Sequence, residues 1–401
     1  MSTLELEQLL FNSGSASDKV RLKRKKQIKR IGSMSKLHKI GQGIAVAFLT
    51  TSMLSGCSYV IKTGANVALG FSEKHIVPPI LAMDDAEMVC NSGNALTPAI
   101  MSTKDMGADP TRMAVLLYSA AGMCAENQAL EAELRYLRAS KANQITEAQD
   151  ARIEQKRWAA IAAERQYAGY QLFANRWETK YKFKLGDSCP TMRNDLDQTV
   201  YLLGMVSGLQ SMTNDINSGG AVNVPKDIAG IVERGMTCLD NEKFWGAPMA
   251  TRAVIWTLLP GAGEGKPEPY ATMKQSMQIG EKKGVRLAHA LYAVAAQASG
   301  DDAKLRDALR SYAAATGEDK PANPQFRLID RMAGLMVRGI ADRYWTEHTG
   351  VRTGDDGLTT FWDDQPETSS ELDDLFDGGD ESAAPAAEDT ATPPVEEIPA
   401  E

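Results

Sequence analysis

The chain from residue 83 to residue 349 consists of segments in which apolar residues recur at the three- and four-residue spacing of a helix. In one segment, for example, Met113, Leu117, Ala121 and Cys124 fall on one face. The segments are rich in Ala, Leu, Met and Glu and contain few runs of β-branched residues, which favours helix over strand. We therefore predict an all-α domain over residues 83–349.

Capping residues, prolines and glycines predict where these helices begin and end. Asp84 is a candidate N-cap, and Pro98 should kink or end the helix that Asp84 opens. Asp109 and Pro110 are typical of an N-cap and a first helical position. The predicted helices cover residues 84–100, a long stretch from 110 to 185 with a break at 143–146, and then 192–216, 225–239, a segment around 253–259, 270–283, 285–298, 301–316 and 324–347.

The segments at 285–298 and 301–316 have the layout of a helix–turn–helix unit of the tetratricopeptide kind. The tripeptide Ser299-Gly300-Asp301 joins them tightly, and Asp301 is a candidate N-cap. Such units stack because none of them buries its apolar face alone. The sequence therefore predicts antiparallel helix hairpins stacked as a tetratricopeptide-like bundle or solenoid.

The stretch from Met34 to Cys57 contains the parts of a secretory signal in their usual order. Two lysines form a basic head, an apolar run follows from Ile44 to Leu54, and two small residues precede Cys57. The run is shorter than the ~20 residues that span a bilayer. The ending Leu-Ser-Gly-Cys resembles the lipobox of bacterial lipoproteins, whose cysteine is acylated. The alternative interpretation is a buried helix that ends in a cysteine.

Acylation at Cys57 would place the mature chain outside the cytosol, tethered by lipid and facing the periplasm. One acyl chain binds a membrane only marginally, so a stable anchor needs more than one, and a triacylated cysteine of the lipoprotein type would meet that need. The cysteine is followed by Ser58, and in many Gram-negative lipoproteins a residue other than Asp there implies export to the outer membrane. Residues 57–82 would form a tether and lead-in.

Residues 1–33 fit this leader poorly, because they would make it unusually long. They contain a dense basic run at 19–30. We interpret 1–33 as an extension upstream of a true start at Met34, with residues 34–56 as the signal peptide. A nucleic-acid patch at 19–30 is the alternative, but an exported protein would carry such a patch away from nucleic acid.

The charge of the chain lies at its ends. The whole sequence has a formal charge of −8, to which residues 354–401 contribute sixteen acidic and no basic residues. The body between Cys57 and residue 353 is almost neutral, and therefore offers no electrostatic footprint for nucleic acid. Residues 350–401 are predicted to form a disordered acidic tail. Within it, residues 371–376 place apolar side chains among acids, as in a short docking helix; an inert solvated tail is the alternative.

Four cysteines follow Cys57, an even number that suits two disulfides in an oxidising compartment. Three pairings are possible, and buried free thiols are the alternative. Cys90 and Cys124 lie 17 residues on either side of Gly107, so an antiparallel hairpin would bring them to the same level. This geometry favours Cys90–Cys124 and leaves Cys189 with Cys238.

Aromatic residues are concentrated between residues 158 and 183 and again at 244–256. The second group begins with Phe244-Trp245-Gly246-Ala247-Pro248, a predicted turn with exposed aromatics. Packing between helices is one interpretation of these residues, and a ligand-facing stripe is the other. The candidates for a ligand or partner surface are Trp177, Tyr181, Phe244, Trp245 and Trp256.

Motifs for catalysis or metal binding are absent from the sequence. His75, His289 and His348 are far apart and not at the spacing of metal ligands, and there is no HExxH motif or nucleophile elbow. We therefore predict a protein that is not an enzyme and that needs no cofactor or metal.

Together, five stretches resemble the T component associated with TRAP transporters. They are the lipobox with GCSYVIKTGANVALG, the helix start MDDAEMV, the segment ADPTRMAVLLYSAAGMCAE, the Gly- and Trp-bearing hairpin region KFWGAP and the repeat GVRLAHALYAVAAQ. The resemblance covers roughly residues 57–316. The resemblance implies a periplasmic, lipid-anchored, all-helical protein. It further implies association with a TRAP substrate-binding protein and an apolar channel, as a trimer, for hydrophobic ligands.

The first functional hypothesis is therefore a lipoprotein that docks a periplasmic solute-binding protein and assists the handling of a hydrophobic ligand. The second is a structural or assembly scaffold of the outer membrane, which uses its helical surface to bind other envelope proteins. These hypotheses differ in what loss of the protein would disturb: solute uptake in the first case, envelope integrity in the second.

Overall fold

A computed structural model describes residues 59–364. Within that range the regular elements are helices, apart from one isolated bridge between Gly317 and Lys320, which confirms the predicted all-α class. The helices are α1 (residues 59–75), α2 (Val77–Leu81), α3 (Ala86–Ser102), α4 (Thr111–Lys141), α5 (Ile145–Tyr181), α6 (Asp195–Ser218), α7 (Ile228–Gly235), α8 (Ala247–Leu258), α9 (Pro269–Lys283), α10 (Leu287–Ser299), α11 (Asp302–Ala314) and α12 (Arg327–Thr349).

Several of the sequence predictions concern residues outside this range. The extension 1–33, the signal peptide 34–56 and the lipid-attachment residue Cys57 precede it. The acidic stretch from residue 365 onward, including the docking segment 371–376, follows it. What the sequence indicates about these residues stays a prediction.

Helices α4 and α5 form the longest hairpin of the described chain. The break between them falls at Ala142 to Gln144, as predicted. Their buried faces are dominated by alanine, including Ala121, Ala125 and Ala163, each at most 3% exposed. Small side chains allow the helix axes to approach closely, and an arm of 31 residues extends about 45 Å.

Helix α3 packs against α4 and forms a cross-linked hairpin with it. Its N-cap is Asp85, whose side chain accepts a hydrogen bond from the Met88 N–H, so the expected cap at Asp84 is one residue early. Pro98 does not end the helix, which continues for one turn to Ser102. A disulfide joins Cys90 to Cys124 with Cα atoms 5.3 Å apart, which is the pairing that the equal spacing from the loop predicts.

The second disulfide fixes the connection between α5 and α6 to the end of α7. It joins Cys189 to Cys238, whose Cα atoms are 5.1 Å apart. The predicted helix at 225–239 is shorter in the structure: α7 begins at Ile228, and a single 3-10 turn, Met236–Cys238, completes it.

Helix α6 lies in the middle of the main hydrophobic core, as its apolar sequence predicts. Val200, Tyr201, Leu202 and Met205 are each at most 1% exposed. The core continues from α5 and α6 through α8 and α10 to α12. This core unites α4 to α12, and two smaller apolar clusters attach α1, α2 and α3 to it.

The predicted helix–turn–helix unit is confirmed in α10 and α11. Gly300 ends α10 in the left-handed conformation, with φ +67°. Asp301 then caps α11 by accepting a hydrogen bond from the Lys304 N–H at 3.0 Å. The aspartate and glycine chemistry of this short turn sets the antiparallel arrangement of the two helices.

The segment after Gly350 corrects one expectation. Its acidic composition predicts disorder from residue 350, but residues 351–364 pack on α11 and α12. Phe361 is only 3% exposed, and the Asp363 and Asp364 carboxylates pair with Arg306 and Arg310. Basic side chains on α11 neutralise Asp363 and Asp364, which a composition count cannot reveal.

Between residues 59 and 364, no helix combines the length and the apolar character that crossing a membrane requires.

Candidate functional site

Four of the five aromatic residues predicted to form a surface are part of the core instead. Trp177, Phe244, Trp245 and Trp256 are 1%, 2%, 3% and 5% exposed. Tyr181 is half-buried. The prediction of exposed aromatics at 244–248 is therefore corrected, and these side chains do not form a surface for a partner.

Their contacts explain the burial. The Trp177 ring lies 5.2 Å from the ring of Phe173, and the Trp245 ring lies 4.6 Å from that of Phe326, which is distant in sequence. The Trp256 Nε1 donates to the Glu233 carboxylate at 2.9 Å. Helical spacing places such residues on a face, but it does not show which other helix covers that face.

Tyr181 belongs to a charged cluster at the junction of α4, α5 and α6. Its hydroxyl donates to the Asp197 carboxylate at 2.5 Å, and the Lys180 ammonium approaches the same oxygen at 2.5 Å. Arg112 is a third neighbour of this carboxylate: its Nε lies 3.7 Å from the other oxygen of Asp197. Burial and the hydrogen bond to Asp197 raise the pKa of Tyr181, so it remains a neutral donor.

The cluster connects α1 to the bundle. Glu73 of α1 pairs with Arg112 at 3.2 Å, and burial raises the pKa of Glu73. Sequence reasoning missed Asp197, because an aspartate in the first turn of a helix is ordinary dipole chemistry. The positive and negative side chains of the cluster balance one another. We assign to the cluster the role of positioning α1.

A groove of about 940 Å³ lies between the cross-linked α3–α4 hairpin, α5 and α12. The Cys90–Cys124 disulfide lies in its wall, and Trp158 of α5 provides an aromatic surface. The two guanidinium groups on its lining come from Arg165 and Arg331. Its acidic side chains come from Asp84, Asp85 and Glu87, and its amides from Asn91, Asn94, Asn127 and Gln128.

Most of these polar side chains face solvent. Arg165 is an exception, since its Nη1 donates to the Ala121 carbonyl at 2.8 Å. Within residues 59–364, the side chains of Asn94, Asn127, Gln128 and Arg331 make no hydrogen bond or ion pair. Amides and a guanidinium that are unused by the fold suit hydrogen bonding to the backbone and carboxylates of another polypeptide.

The described part of the chain holds no group of three or more His, Cys, Asp or Glu side chains arranged to bind a metal ion. Sequence reasoning had not identified the groove, because its walls come from helices far apart in the chain. The long solvated faces of α4 and α5 gave no signal of a concave surface.

Comparisons with family models, with curated proteins and with solved structures found no match to this chain.

Proposed function

We propose that this chain is a lipid-tethered adaptor of the bacterial envelope, which docks a periplasmic solute-binding protein through the groove between α3, α4, α5 and α12. The observation that carries the proposal is the groove itself. Its volume of about 940 Å³, its unused amides and its single tryptophan provide polar contacts around one aromatic anchor, as in sites where proteins bind proteins.

The two disulfides support an extracytosolic location. Cys90–Cys124 and Cys189–Cys238 use every cysteine of the described chain. Structural disulfides persist in oxidising compartments such as the periplasm and are rare in the cytosol. The Cys90–Cys124 bond also holds one wall of the groove rigid, which lowers the entropic cost of docking.

The lipid anchor completes the proposal. Acyl chains on Cys57 would hold the domain at a membrane surface, and Ser58 supports the outer membrane as its destination. The channel, the trimer and the handling of a hydrophobic ligand rest on the resemblance to the TRAP T component. The aromatic residues first considered for that ligand are in the core, so the groove carries the docking proposal alone.

The test is capture of partners from envelope extract with the full chain carrying Trp158→Ala and Arg331→Glu. The unaltered chain should recover a solute-binding protein, and the double variant should not. Arg157→Glu is the matched control, because Arg157 is an exposed neighbour on α5 that does not line the groove. Thermal unfolding of each variant verifies that the fold is retained.

Recovery of no solute-binding protein above the level of the double variant contradicts the proposal. Recovery of envelope assembly proteins, lost in the same double variant, would instead support the outer-membrane scaffold.

A further inference from the structure

Helix α1 has apolar residues on two opposite faces. Leu69, 5% exposed, points into a small cluster with Val77 and Met113. On the other side, Val60, Val67 and Phe71 are 68%, 67% and 59% exposed. These three residues are seven and four positions apart and therefore form one line along the helix.

The charges of α1 are distributed unequally between the two faces. The sole acidic residue of positions 59–75 is Glu73, which turns inward to Arg112. Lys74, exposed beside Phe71, has no ion-pair partner within the described residues. The outward face thus combines apolar side chains with a cation and lacks a carboxylate, the combination by which a helix binds the surface of an anionic bilayer.

The location of this face identifies what covers it. Val60 and Phe71 are three and fourteen residues after Cys57 in the sequence, and the helix carries the face over only about 17 Å from one to the other. We infer that the outward face of α1 lies on the lipid surface that holds the acyl chains of Cys57. This inference rests on the proposed function for the anchor.

Contacts between α1 and α4 give this placement a consequence for the whole domain. Besides the Glu73–Arg112 pair, the Asp109 N–H donates to the Asn66 side chain at 3.3 Å. The base of the α4–α5 arm is thereby fixed to α1, while Ile145, 72% exposed, lies at the far end, about 45 Å away along α4. A membrane-bound α1 would orient the arm relative to the bilayer.

The test replaces Phe71 by the photoreactive residue p-benzoylphenylalanine in the full chain in its native envelope. A matched chain carries the same residue at Ile145. After irradiation, mass spectrometry of the purified protein should find phospholipid adducts at position 71 at least about tenfold above those at position 145. Val67→Asp in the first chain should reduce the adducts to the level of the control, because a charge in the middle of the face opposes lipid contact.

The outcomes separate this inference from the anchor. Acylation of Cys57 is measured in the same sample; if it is present and position 71 yields no lipid adduct, or yields adducts with a second copy or another protein, the inference is overturned. If Cys57 is not acylated, the anchor fails, and the purified full chain is irradiated with vesicles of phosphatidylethanolamine and phosphatidylglycerol. Lipid adducts at position 71 then still support the α1 face, and their absence overturns it.

Discussion

The carboxylate of Asp330 in α12 accepts two hydrogen bonds from Arg286, the residue that precedes α10. The backbone N–H donates to Oδ1 at 2.8 Å, and the guanidinium Nη1 donates to Oδ2 at 2.6 Å. The guanidinium also donates to the carbonyls of Ala315, at 3.0 Å, and Lys320. The two side chains are 4% and 11% exposed, so a fully paired charge joins α10, the loop after α11 and α12.

Removing the acceptor should be strongly destabilising. Asp330→Ala leaves the Arg286 guanidinium buried without its counter-charge, and we expect a loss of about 3–5 kcal/mol in the free energy of unfolding. Urea denaturation at neutral pH measures the loss. Glu281→Ala is the control, because the Glu281–Lys320 pair is more than a third exposed on both sides and should contribute about 0–1 kcal/mol. Equal losses in both variants would contradict this account.

The Cys90–Cys124 bond closes a loop with a sequence separation of 34. Replacing both cysteines by serine should lower the free energy of unfolding by about 4 kcal/mol, chiefly through the greater freedom of the unfolded chain. Non-reducing peptide mapping of the unaltered protein should recover Cys90 with Cys124 and Cys189 with Cys238. A different pairing would show that the α3–α4 hairpin does not bring Cys90 and Cys124 to the same level.

Gly93 permits the close approach of α3 to α4. A Cβ atom there would lie 2.6 Å from the Ala121 backbone nitrogen and 2.7 Å from the Leu117 carbonyl oxygen. Gly93→Ala should therefore separate the helices and cost about 1–3 kcal/mol, measured by urea denaturation.

Gly70→Ala is the matched control for Gly93. Gly70 is also helical, but a Cβ atom there meets nothing within 4 Å, and the substitution should stabilise α1 by about 0.5–1 kcal/mol through helix propensity. A stabilising effect at both positions would mean that α3 and α4 are not in close contact.

Local chemistry predicted much of the fold. The hairpin of α3 and α4 follows from the equal spacing of two cysteines about a loop, and the turn between α10 and α11 follows from Gly300 and Asp301. Each of these features depends on residues that are near one another in the chain or related by helix geometry. The sequence therefore predicts the class, the hairpins and the cross-links.

Long-range packing limits what the sequence predicts about the site. Trp245 is buried because Phe326, 81 positions later, packs against its ring. The groove exists because Trp158 and Arg331 approach the same hairpin from different helices. Neither relation has a local signal. The sequence pattern therefore places buried aromatics on the surface and gives no indication of the groove.

His289 makes the stability of the domain depend on pH. It is 2% exposed, its Nδ1 has no hydrogen-bond partner within the described residues, and burial lowers its pKa to about 4 from the ordinary 6.5. The unfolded chain binds the proton more readily, so this contribution to stability is complete above pH 6.5. It is lost as the pH falls toward 4, by roughly 3 kcal/mol.

The measurement for His289 is the free energy of unfolding at steps between pH 8 and pH 4. Carboxylates also titrate over this range, so the comparison is with His289→Gln, which cannot take up the proton. Above pH 6.5 the difference in the free energy of unfolding between the unaltered protein and the variant should be constant. As the pH falls, the unaltered protein should lose stability relative to the variant. Parallel profiles over the whole range would refute the assignment.

Phe361 is the apolar anchor of the segment that follows α12. It is 3% exposed, and its ring centroid lies 4.8 Å from both Arg306 and Arg310. Phe361→Ala should remove about 3–5 kcal/mol of stability and release residues 351–364, which hydrogen exchange of their amides would detect. Trp362→Ala is the matched control, because that neighbouring ring is 36% exposed and should cost less. If Phe361→Ala leaves both stability and exchange unchanged, the segment belongs to the acidic tail, as composition alone predicts.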